Sequence, residues 1–513
     1  MRLEELARTS LAVAGTRGRN TKTNLLAACL KRLRPDEVPI AVAYLSGALP
    51  QGAIGVGWAA LRDLPPSTSS PSALELLEVD AALTAIATSA GAGSQKTRRR
   101  RLHGLFGRAT GTERRFLVAL LLGELRQGAL EQVMVEAVAV AAEVPARAVR
   151  RALMVSGDLG AVAAAAIADR RGGLDRFRLT LLRPVQPMLA QTAADVTDAL
   201  SRMSPAAIEW KLDGARIQVH RRGDEVRAFT RNLADITQRV PEVVRAVLAL
   251  AAESLILDGE VIAVRADGRP RPFQETMGRF GSSVEVERVS PTMPLSTFFF
   301  DCLHLDGEEL IDRSQQDRFG ALSGAVPEEL RVPRIVVEDP VEAETFLDAA
   351  LRQGHEGVMV KALDAPYEAG RRGSGWLKVK RARTLDLVVL AAEWGHGRRR
   401  GWLSNLHLGA RDPATGSFVM LGKTFKGMTD RMLEWQTQRL QELETRREGI
   451  TVFVRPELVV EVAFDGLQES VRYPAGLALR FARVKGYRPD KRAEEADTME
   501  TVGALHAGET SAR

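Results

Sequence analysis

Cysteine is almost absent from this sequence, and several other classes of feature are missing with it. Only Cys29 and Cys302 occur among 513 residues. Two cysteines form neither a disulfide framework nor a four-thiolate zinc site, so we expect a reduced, cytoplasmic protein. No apolar run is long enough to span a membrane, the first residues lack the apolar core of a signal peptide, and no P-loop motif is present.

The length of the chain indicates several domains, and its charge balance suggests an anionic partner. A chain of 513 residues is too long for one ordinary core, so two to four domains are expected. There are 71 lysines and arginines against 65 acidic residues, a net charge of +6. Concentrated basic patches would favour a polyanion. The alternative is that frequent arginine and alanine reflect a GC-rich genome.

The pattern of apolar residues divides the chain into regions of different secondary structure. Residues 1–180 are rich in alanine and leucine at helical spacing, and residues 181–190 look like an extended linker. Residues 191–383 alternate β-branched strands with helices. Residues 384–495 predict short strands with one helix, Asp430 to Arg447, which fits an OB-fold barrel. Residues 496–513 are predicted to be a flexible tail.

A basic segment in the helical region is a candidate for binding nucleic acid. Residues 91–101 combine small residues with Ser94, Lys96, Arg98 and Arg99, a mixture that suits a phosphate backbone. Arg126, near a predicted helix end, is a weaker candidate. The alternative reading is a solvated basic helix start.

Lys211 is the residue around which the rest of the sequence is organised. It precedes Asp213-Gly214, a tight turn, and then Arg216 at the start of an alternating strand. A lysine fixed beside a turn can act as a nucleophile if its surroundings lower its pKa. An ordinary surface lysine is the competing interpretation.

Charged residues recur at the ends of the predicted strands that follow Lys211. Glu260 interrupts an apolar strand, Glu356 precedes another, and Lys378 and Lys380 lie on one strand face. Carboxylates in apolar strands are costly unless they are paired or bind metal. Cations, carboxylates and an aromatic ring such as Phe300 together suit a nucleoside triphosphate with Mg²⁺. Unrelated surface ion pairs are the alternative for each residue taken singly.

In this order the residues resemble the motifs of the covalent nucleotidyltransferases. Lys211 to Arg216 reads Lys-x-Asp-Gly-x-Arg, and Asp258-Gly259-Glu260, Phe298 to Asp301, Glu356 to Lys361, Trp376 to Lys380 and Arg480 to Lys491 follow as the later motifs. The match is nearest to ATP-dependent DNA ligases. Within them it resembles the actinobacterial B-type enzymes, which share the three-domain plan of archaeal and eukaryotic ligases.

The resemblance implies a multi-domain fold: an all-α DNA-binding domain, an α+β adenylation domain with antiparallel sheets, and a C-terminal OB-fold. It implies that Lys211 attacks ATP to form a lysyl-AMP intermediate, and that AMP passes to the 5′-phosphate at a nick. It also implies nucleotide contacts from Glu209, Arg216, Arg231, Glu260, Phe300, Arg372, Lys378 and Lys380, and Mg²⁺ (or Mn²⁺) held by Glu260 and Glu356. Arg216, Lys378 and the metal would lower the pKa of Lys211.

The family further implies a monomer that encircles nicked duplex DNA, without membrane contact and associated with the nucleoid. One departure stands out, because Gly486 occupies a position where relatives carry an arginine that contacts pyrophosphate. Three readings stay open: a DNA ligase, another covalent nucleotidyltransferase such as an RNA ligase or capping enzyme, and a catalytically weak nick-binding protein.

Overall fold

The computed structural model describes residues 1–52, 54–62, 64, 73–91, 93–125, 130–271, 273–281, 293–368, 372–380 and 383–507. Within these ranges no helix is long and apolar enough to cross a membrane. The N-terminal, middle and C-terminal regions each have apolar cores of their own, and a smaller cluster joins Met154 and Val155 of the N-terminal region to Val185, Ile256 and Trp376.

The N-terminal region is helical, as predicted. Its core gathers leucine, valine and alanine from helices throughout the region, since one apolar stripe per helix must be covered by its neighbours. The helices are Leu3–Gly15, Arg19–Leu30, Val38–Leu45, Trp58–Arg62, Leu76–Ala87, Ser94–Gly107, Gly111–Leu121, Leu130–Ala142, Ala146–Ser156 and Leu159–Asp175.

The predicted linker packs against the middle region rather than crossing solvent. The Leu182 N–H donates to Nδ1 of His220 at 3.1 Å, and the Val185 N–H donates to the Gln218 side chain at 2.8 Å. The first strand of the middle region begins at Leu189, inside the stretch predicted to be linker. These buried polar contacts satisfy the linker backbone, which explains why it lies on the sheet.

The middle region contains two five-stranded sheets, antiparallel except for one parallel pair. The strands are β1 (Leu189–Thr192), β2 (Ala206–Lys211), β3 (Ala215–Arg222), β4 (Glu225–Thr230), β5 (Ser254–Ala263), β6 (Leu295–Leu305), β7 (Glu308–Glu309), β8 (Arg334–Val337), β9 (Gly357–Ala362) and β10 (Arg372–Val379). One sheet has the strand order β1-β10-β9-β2-β8 and the other β4-β3-β5-β6-β7. The helices are Val196–Arg202, Pro241–Leu248, Phe273–Gly281, Gln315–Ala325 and Pro340–Arg352.

The C-terminal region is rich in strands, and it is organised around the long strand β11. This strand pairs first with β16 and then with β15, a change of partner that fits the curved sheet of a small barrel. The strands are β11 (Arg383–Trp394), β12 (Leu403–Arg411), β13 (Phe418–Thr424), β14 (Glu444–Glu448), β15 (Thr451–Val454), β16 (Val459–Phe464), β17 (Gly466–Glu469), β18 (Leu477–Arg480) and β19 (Arg483–Tyr487). The helices are Asp430–Glu442 and Met499–Ala507.

Two predictions for this region are wrong in detail. The helix predicted over Asp430 to Arg447 ends at Glu442, because residues 444–448 pair with Thr451–Val454 as a hairpin. The predicted tail contains the helix Met499–Ala507, whose Val502 is fully buried in the domain core. Burial of that apolar face stabilises a segment too short to be helical alone.

Candidate active site

Lys211 lies where the chain crosses from one middle sheet to the other. It ends β2 in the first sheet, and four residues later, at Ala215, the chain enters β3 in the second. Gly214 is needed at this crossing, since a Cβ there would collide with the Val261 carbonyl and the Ile262 side chain. The crossing therefore carries Lys211 to the cleft between the sheets.

Strand alternation puts the charged residues of each sheet on the face toward this cleft. Glu209 pairs with Met359, and Met359 pairs with Lys378, so these side chains share one face. The opposite face, with Ile208, Val358 and Leu377, packs in an apolar core. In the second sheet Arg216 pairs with Glu260 and Gln218 with Asp258. Each sheet thus buries one apolar face and presents the other to the cleft.

Lys211 forms an ion pair with Glu356, which Lys380 also contacts at 2.6 Å. The Glu356 N–H donates to the Lys211 carbonyl at 3.0 Å, which holds the two segments together. The next residue, Gly357, has φ of 144° and lies against the Val379 carbonyl. A Cβ at this position would collide with that carbonyl, so glycine is needed directly after Glu356. The lysine and the carboxylate are therefore positioned by backbone as well as by charge.

Among the protein's own groups, the charges around Lys211 raise its pKa, whereas the predicted lowering also counted on a bound metal. Burial lowers the pKa of Lys211, but Glu356 outweighs this effect, with help from Glu260 and Asp213. The predicted cation field is weakened because Arg216 is bound to Asp258 on both oxygens, at 2.9 and 2.5 Å. Among the protein's own groups, Lys211 is thus an ammonium that must lose its proton before it can attack.

Two carboxyl groups beside Lys211 have too few counter-charges. Burial raises the pKa of Glu260 to about 7, although Lys211 and Arg216 oppose the shift. Burial and Glu356 raise the pKa of Asp213 to about 6, against the pull of Arg480 and Lys211. The pKa of Glu356 falls to about 2 because Lys211 and Lys380 outweigh its burial. A divalent cation would offset this excess of buried negative charge.

No cluster of three metal-ligating side chains occurs in the described ranges. Mg²⁺ typically takes one or two carboxylates plus substrate phosphates rather than an all-protein cage. Glu260 and Glu356 are the carboxylates that face the nucleophile from the two sheets.

The far end of the cleft is apolar and aromatic, with one buried carboxylate. Phe300 packs with Trp376 and Met359, and Lys361 donates to the Phe300 carbonyl at 3.1 Å. Glu209, only 2% exposed, contacts Lys361 at 2.5 Å. Burial raises the pKa of Glu209, while Lys361 and Arg334 oppose that rise. An aromatic ring with a buried acceptor beside it suits contact with a base.

Comparisons with known proteins match this geometry with a family. Models described as "DNA ligase N terminus", "ATP dependent DNA ligase domain" and "ATP dependent DNA ligase C terminal region" match residues 59–139, 187–380 and 399–491. A "Probable DNA ligase" of Anaeromyxobacter dehalogenans is 61% identical over 514 residues, covering 99% of this chain and 100% of that protein. The chain belongs to the ATP-dependent DNA ligases.

Other ligases agree with this assignment along the whole chain. A "Probable DNA ligase" of Mycobacterium marinum is 57% identical and covers 99% of this chain and 100% of its own. The one from Streptomyces griseus is 56% identical, with coverage of 98% and 99%. The solved structure "Pmar-Lig_PreS3" has a TM-score of 0.58 at 18% identity, covers 94% of this chain and 99% of its own, and shares the fold. A covalent adenylate is typical of this family, and ATP and Mg²⁺ are its usual cofactors.

The structure brings most of the predicted site residues of this ligase to the cleft. Lys211, Glu356 and Lys380 are in contact, and Arg216 lies opposite Glu260 in register. Arg231 is exposed and follows Thr230, which pairs with Ile217 at the start of β3. Arg372 begins β10, but its side chain lies outside the described residues.

Sequence reasoning missed the residues that fix these groups in place. Tyr367 donates to Asp258 at 2.6 Å and accepts from Arg216 at 3.2 Å and from the Met188 N–H at 3.0 Å. No motif contains Tyr367, and only its neighbours in space reveal its role.

The C-terminal domain also contributes residues to the cleft. Arg480 contacts Asp213 at 3.4 Å, and Asp465 contacts Lys380 at 3.7 Å. By contrast, Arg488 and Lys491 both bind Asp386 on β11, away from Lys211. In the last motif, Arg480 is thus the basic residue whose side chain contacts Asp213, in the turn that follows Lys211.

The predicted DNA-binding residues divide into two groups. Ser94 and Lys96 lie in the first turn of the helix Ser94–Gly107, and Lys96 and Arg99 are exposed. Arg98 instead donates to the Ser89 carbonyl at 2.6 Å, beyond the end of the helix Leu76–Ala87. Arg98 therefore has a structural contact that the sequence did not predict. Arg126 lies outside the described residues.

Proposed function

We propose that Lys211 is the nucleophile through which this ligase seals nicks in duplex DNA. The observation that carries the proposal is the position of Lys211 at the crossing of two sheets, in contact with Glu356 and facing Glu260. A nucleophile there would meet a phosphate between cations and carboxylates.

In the first step the neutral Lys211 Nζ attacks the α-phosphorus of ATP. A P–N bond forms, the bond from the α-phosphorus to the bridging oxygen breaks, and pyrophosphate leaves. Lys378 and Lys380 would stabilise the negative charge that develops on the α-phosphate. Glu260 and Glu356 would hold Mg²⁺, which would supply positive charge to neutralise the phosphates.

In the later steps a 5′-phosphate oxygen attacks the adenylate phosphorus, which breaks the P–N bond and frees Lys211. The 3′-hydroxyl at the nick then attacks the 5′-phosphate, and AMP leaves. We assign Glu209 and Phe300 to the base, and Arg216, Arg231 and Arg372 to the ribose-phosphate side of the nucleotide.

The test is incubation with α-labelled ATP and Mg²⁺, denaturing electrophoresis, and then addition of nicked duplex. We expect label on the wild type, none on Lys211→Ala, and sealing of the nick with loss of label. A wild-type chain that takes no label with any divalent metal would refute the proposal. Label that moves to RNA ends and never to nicked DNA would support an RNA-joining enzyme instead.

We also propose that the helix Ser94–Gly107 binds the DNA backbone through Ser94, Lys96 and Arg99, and that Arg126 is a further DNA-binding residue. Lys96 and Arg99 are exposed at the basic start of this helix, which supports contact with phosphates. Two exposed rings of the C-terminal domain, Phe425 and Phe481, flank Lys426 and would add apolar contact with the duplex.

The double variant Lys96→Gln/Arg99→Gln should weaken nick binding and reduce the slope of log K against log salt by about 0.9 per lost phosphate contact. Self-adenylation should persist. Arg147→Gln, an exposed arginine on another helix of the domain, is the matched control. Unchanged binding of the double variant at every salt concentration would contradict the assignment.

We further infer a monomer that encloses the duplex and acts on nucleoid DNA in the cytoplasm. Contact between Arg480 and Asp213 supports closure of the C-terminal domain over the cleft. Light scattering with nicked DNA should give one chain per duplex, and two chains would contradict a monomer.

A further inference from the structure

The buried carboxylate of Glu209 has one oxygen bound and one unsatisfied. Its Oε2 lies 2.5 Å from Nζ of Lys361. Its Oε1 has no hydrogen-bond partner in the described part of the chain, although Nε of Arg334 lies 3.6 Å away. A buried acceptor without a partner costs free energy unless a ligand supplies a donor.

Arg334 is held beside Glu209 by contacts that leave it little freedom. It opens β8 directly opposite Glu209 in the register of the sheet, and its side chain is only 11% exposed. Its Nη2 donates to Oε1 of Gln315 at 3.0 Å, and its guanidinium lies 3.8 Å from the centre of the Phe319 ring. The charge of Arg334 is therefore fixed near Oε1 without a hydrogen bond to it.

This arrangement orients a carboxylate while leaving its second oxygen available. Lys361 binds one oxygen, and Arg334 adds positive charge beside the other, so both cations favour the ionised, hydrogen-bond-accepting form of Glu209. The free oxygen is on the sheet face that also carries Lys211, two residues later on β2.

We propose that Arg334 is a positioning residue that determines base specificity, by holding Glu209 as an acceptor for the exocyclic amino group of adenine. Guanine presents a carbonyl oxygen at the corresponding ring position, and two acceptors facing each other repel. This inference rests on the proposed function, in which Glu209 and Phe300 contact the base. Arg334 itself need not touch the nucleotide.

The experiment compares labelling of Lys211 by α-labelled ATP and α-labelled GTP in single turnover. In Arg334→Met the half-saturating ATP concentration should rise about tenfold, which corresponds to loss of one well-oriented hydrogen bond. The maximal labelling rate should stay near the wild-type value, because the reacting groups are untouched. The preference for ATP over GTP should fall by about the same factor, and Arg334→Lys should restore part of it.

Arg352→Met, at the exposed end of the helix Pro340–Arg352, is the control for loss of an arginine from this domain. If Arg334→Met does not fold, Gln315→Met removes the acceptor that orients Arg334 and should lower the ATP preference by a smaller factor.

The results separate this inference from the proposed function. A wild-type chain that takes no label refutes the function itself. A wild type that prefers ATP, together with a folded Arg334→Met or Gln315→Met that keeps the full preference, overturns only the role of Arg334. If Arg334→Met lowers the maximal labelling rate equally for ATP and GTP and keeps the preference for ATP, then Arg334 has a merely structural role. That result would also overturn the proposed role of Arg334 in base specificity.

Discussion

Replacement of Gly214 by alanine provides a direct test of how the lysine is positioned. A Cβ at Gly214 would lie 3.0 Å from Cγ of Glu260 and closer still to the Val261 carbonyl oxygen and the Ile262 side chain. Those last two contacts fall about 1 Å inside ordinary van der Waals separation. The nearest obstacle is the Val261 carbonyl in the backbone of β5, which cannot turn away as a flexible side chain would.

The crossing must therefore shift by about 1 Å, and Lys211 is three residues before Gly214. Overpacking of this kind costs about 1–3 kcal/mol of stability. A misplacement of about 1 Å in a reacting group can lower its rate about 100-fold. We thus expect a folded protein with a modestly lower melting temperature and labelling from ATP slowed about 100-fold.

The assay is single-turnover labelling by α-labelled ATP beside a thermal melt. Gly320→Ala is the matched control, because that exposed helical glycine has no atom within 4 Å of the added Cβ. In the control, labelling should be unchanged and stability should rise slightly, as for other helix glycines. Wild-type labelling by Gly214→Ala would refute the claim that this crossing positions Lys211.

Two further predictions follow from the charges of the middle domain. In Glu356→Gln the pKa of Lys211 should fall, since the carboxylate that raises it is gone. The amine reacts when neutral, so the rising limb of the labelling rate against pH should move to lower pH, and an unmoved limb would contradict the reasoning. Arg318 and Asp301, both fully buried, pair at 2.7 Å. Arg318→Met should lower the free energy of unfolding in urea by about 3–5 kcal/mol by leaving Asp301 uncompensated, whereas a loss below about 1 kcal/mol would refute it.

Local patterns predicted much of the fold. The apolar runs Leu255 to Val264, Leu295 to Leu303, Gly357 to Lys361 and Thr451 to Val454 predict strands, and β5, β6, β9 and β15 lie within two residues of them. The apolar pattern succeeds here because it reports which residues of a strand are buried. Two predictions near the C-terminus are wrong because contacts with distant residues, rather than the local sequence, decide the structure there. Glu444–Glu448 resembles the preceding helix in composition, yet pairing with β15 decides its structure.

In the candidate site, too, the local sequence predicted some residues, and only the tertiary structure revealed others. The motifs singled out Lys211 and Glu356 at strand boundaries and Glu260 inside an apolar strand, positions where a charged residue is locally conspicuous. They did not identify Tyr367 or Arg334, which are ordinary in their local sequence. Their importance comes from contacts with Asp258 and Glu209, more than 100 residues away along the chain.

By itself the sequence determined the order of domains, most strand positions and the residues that form the family motifs. Only the tertiary structure decided which charges meet: Arg216 with Asp258, Arg98 with the Ser89 carbonyl, and Lys211 with Glu356. Of these contacts, the ion pair with Glu356 is the one that raises the pKa of Lys211 among the protein's own groups, where the sequence predicted a lower pKa. The physical reason is that secondary structure depends on neighbours in the chain, whereas a pKa depends on burial and on charges a few ångströms away in space.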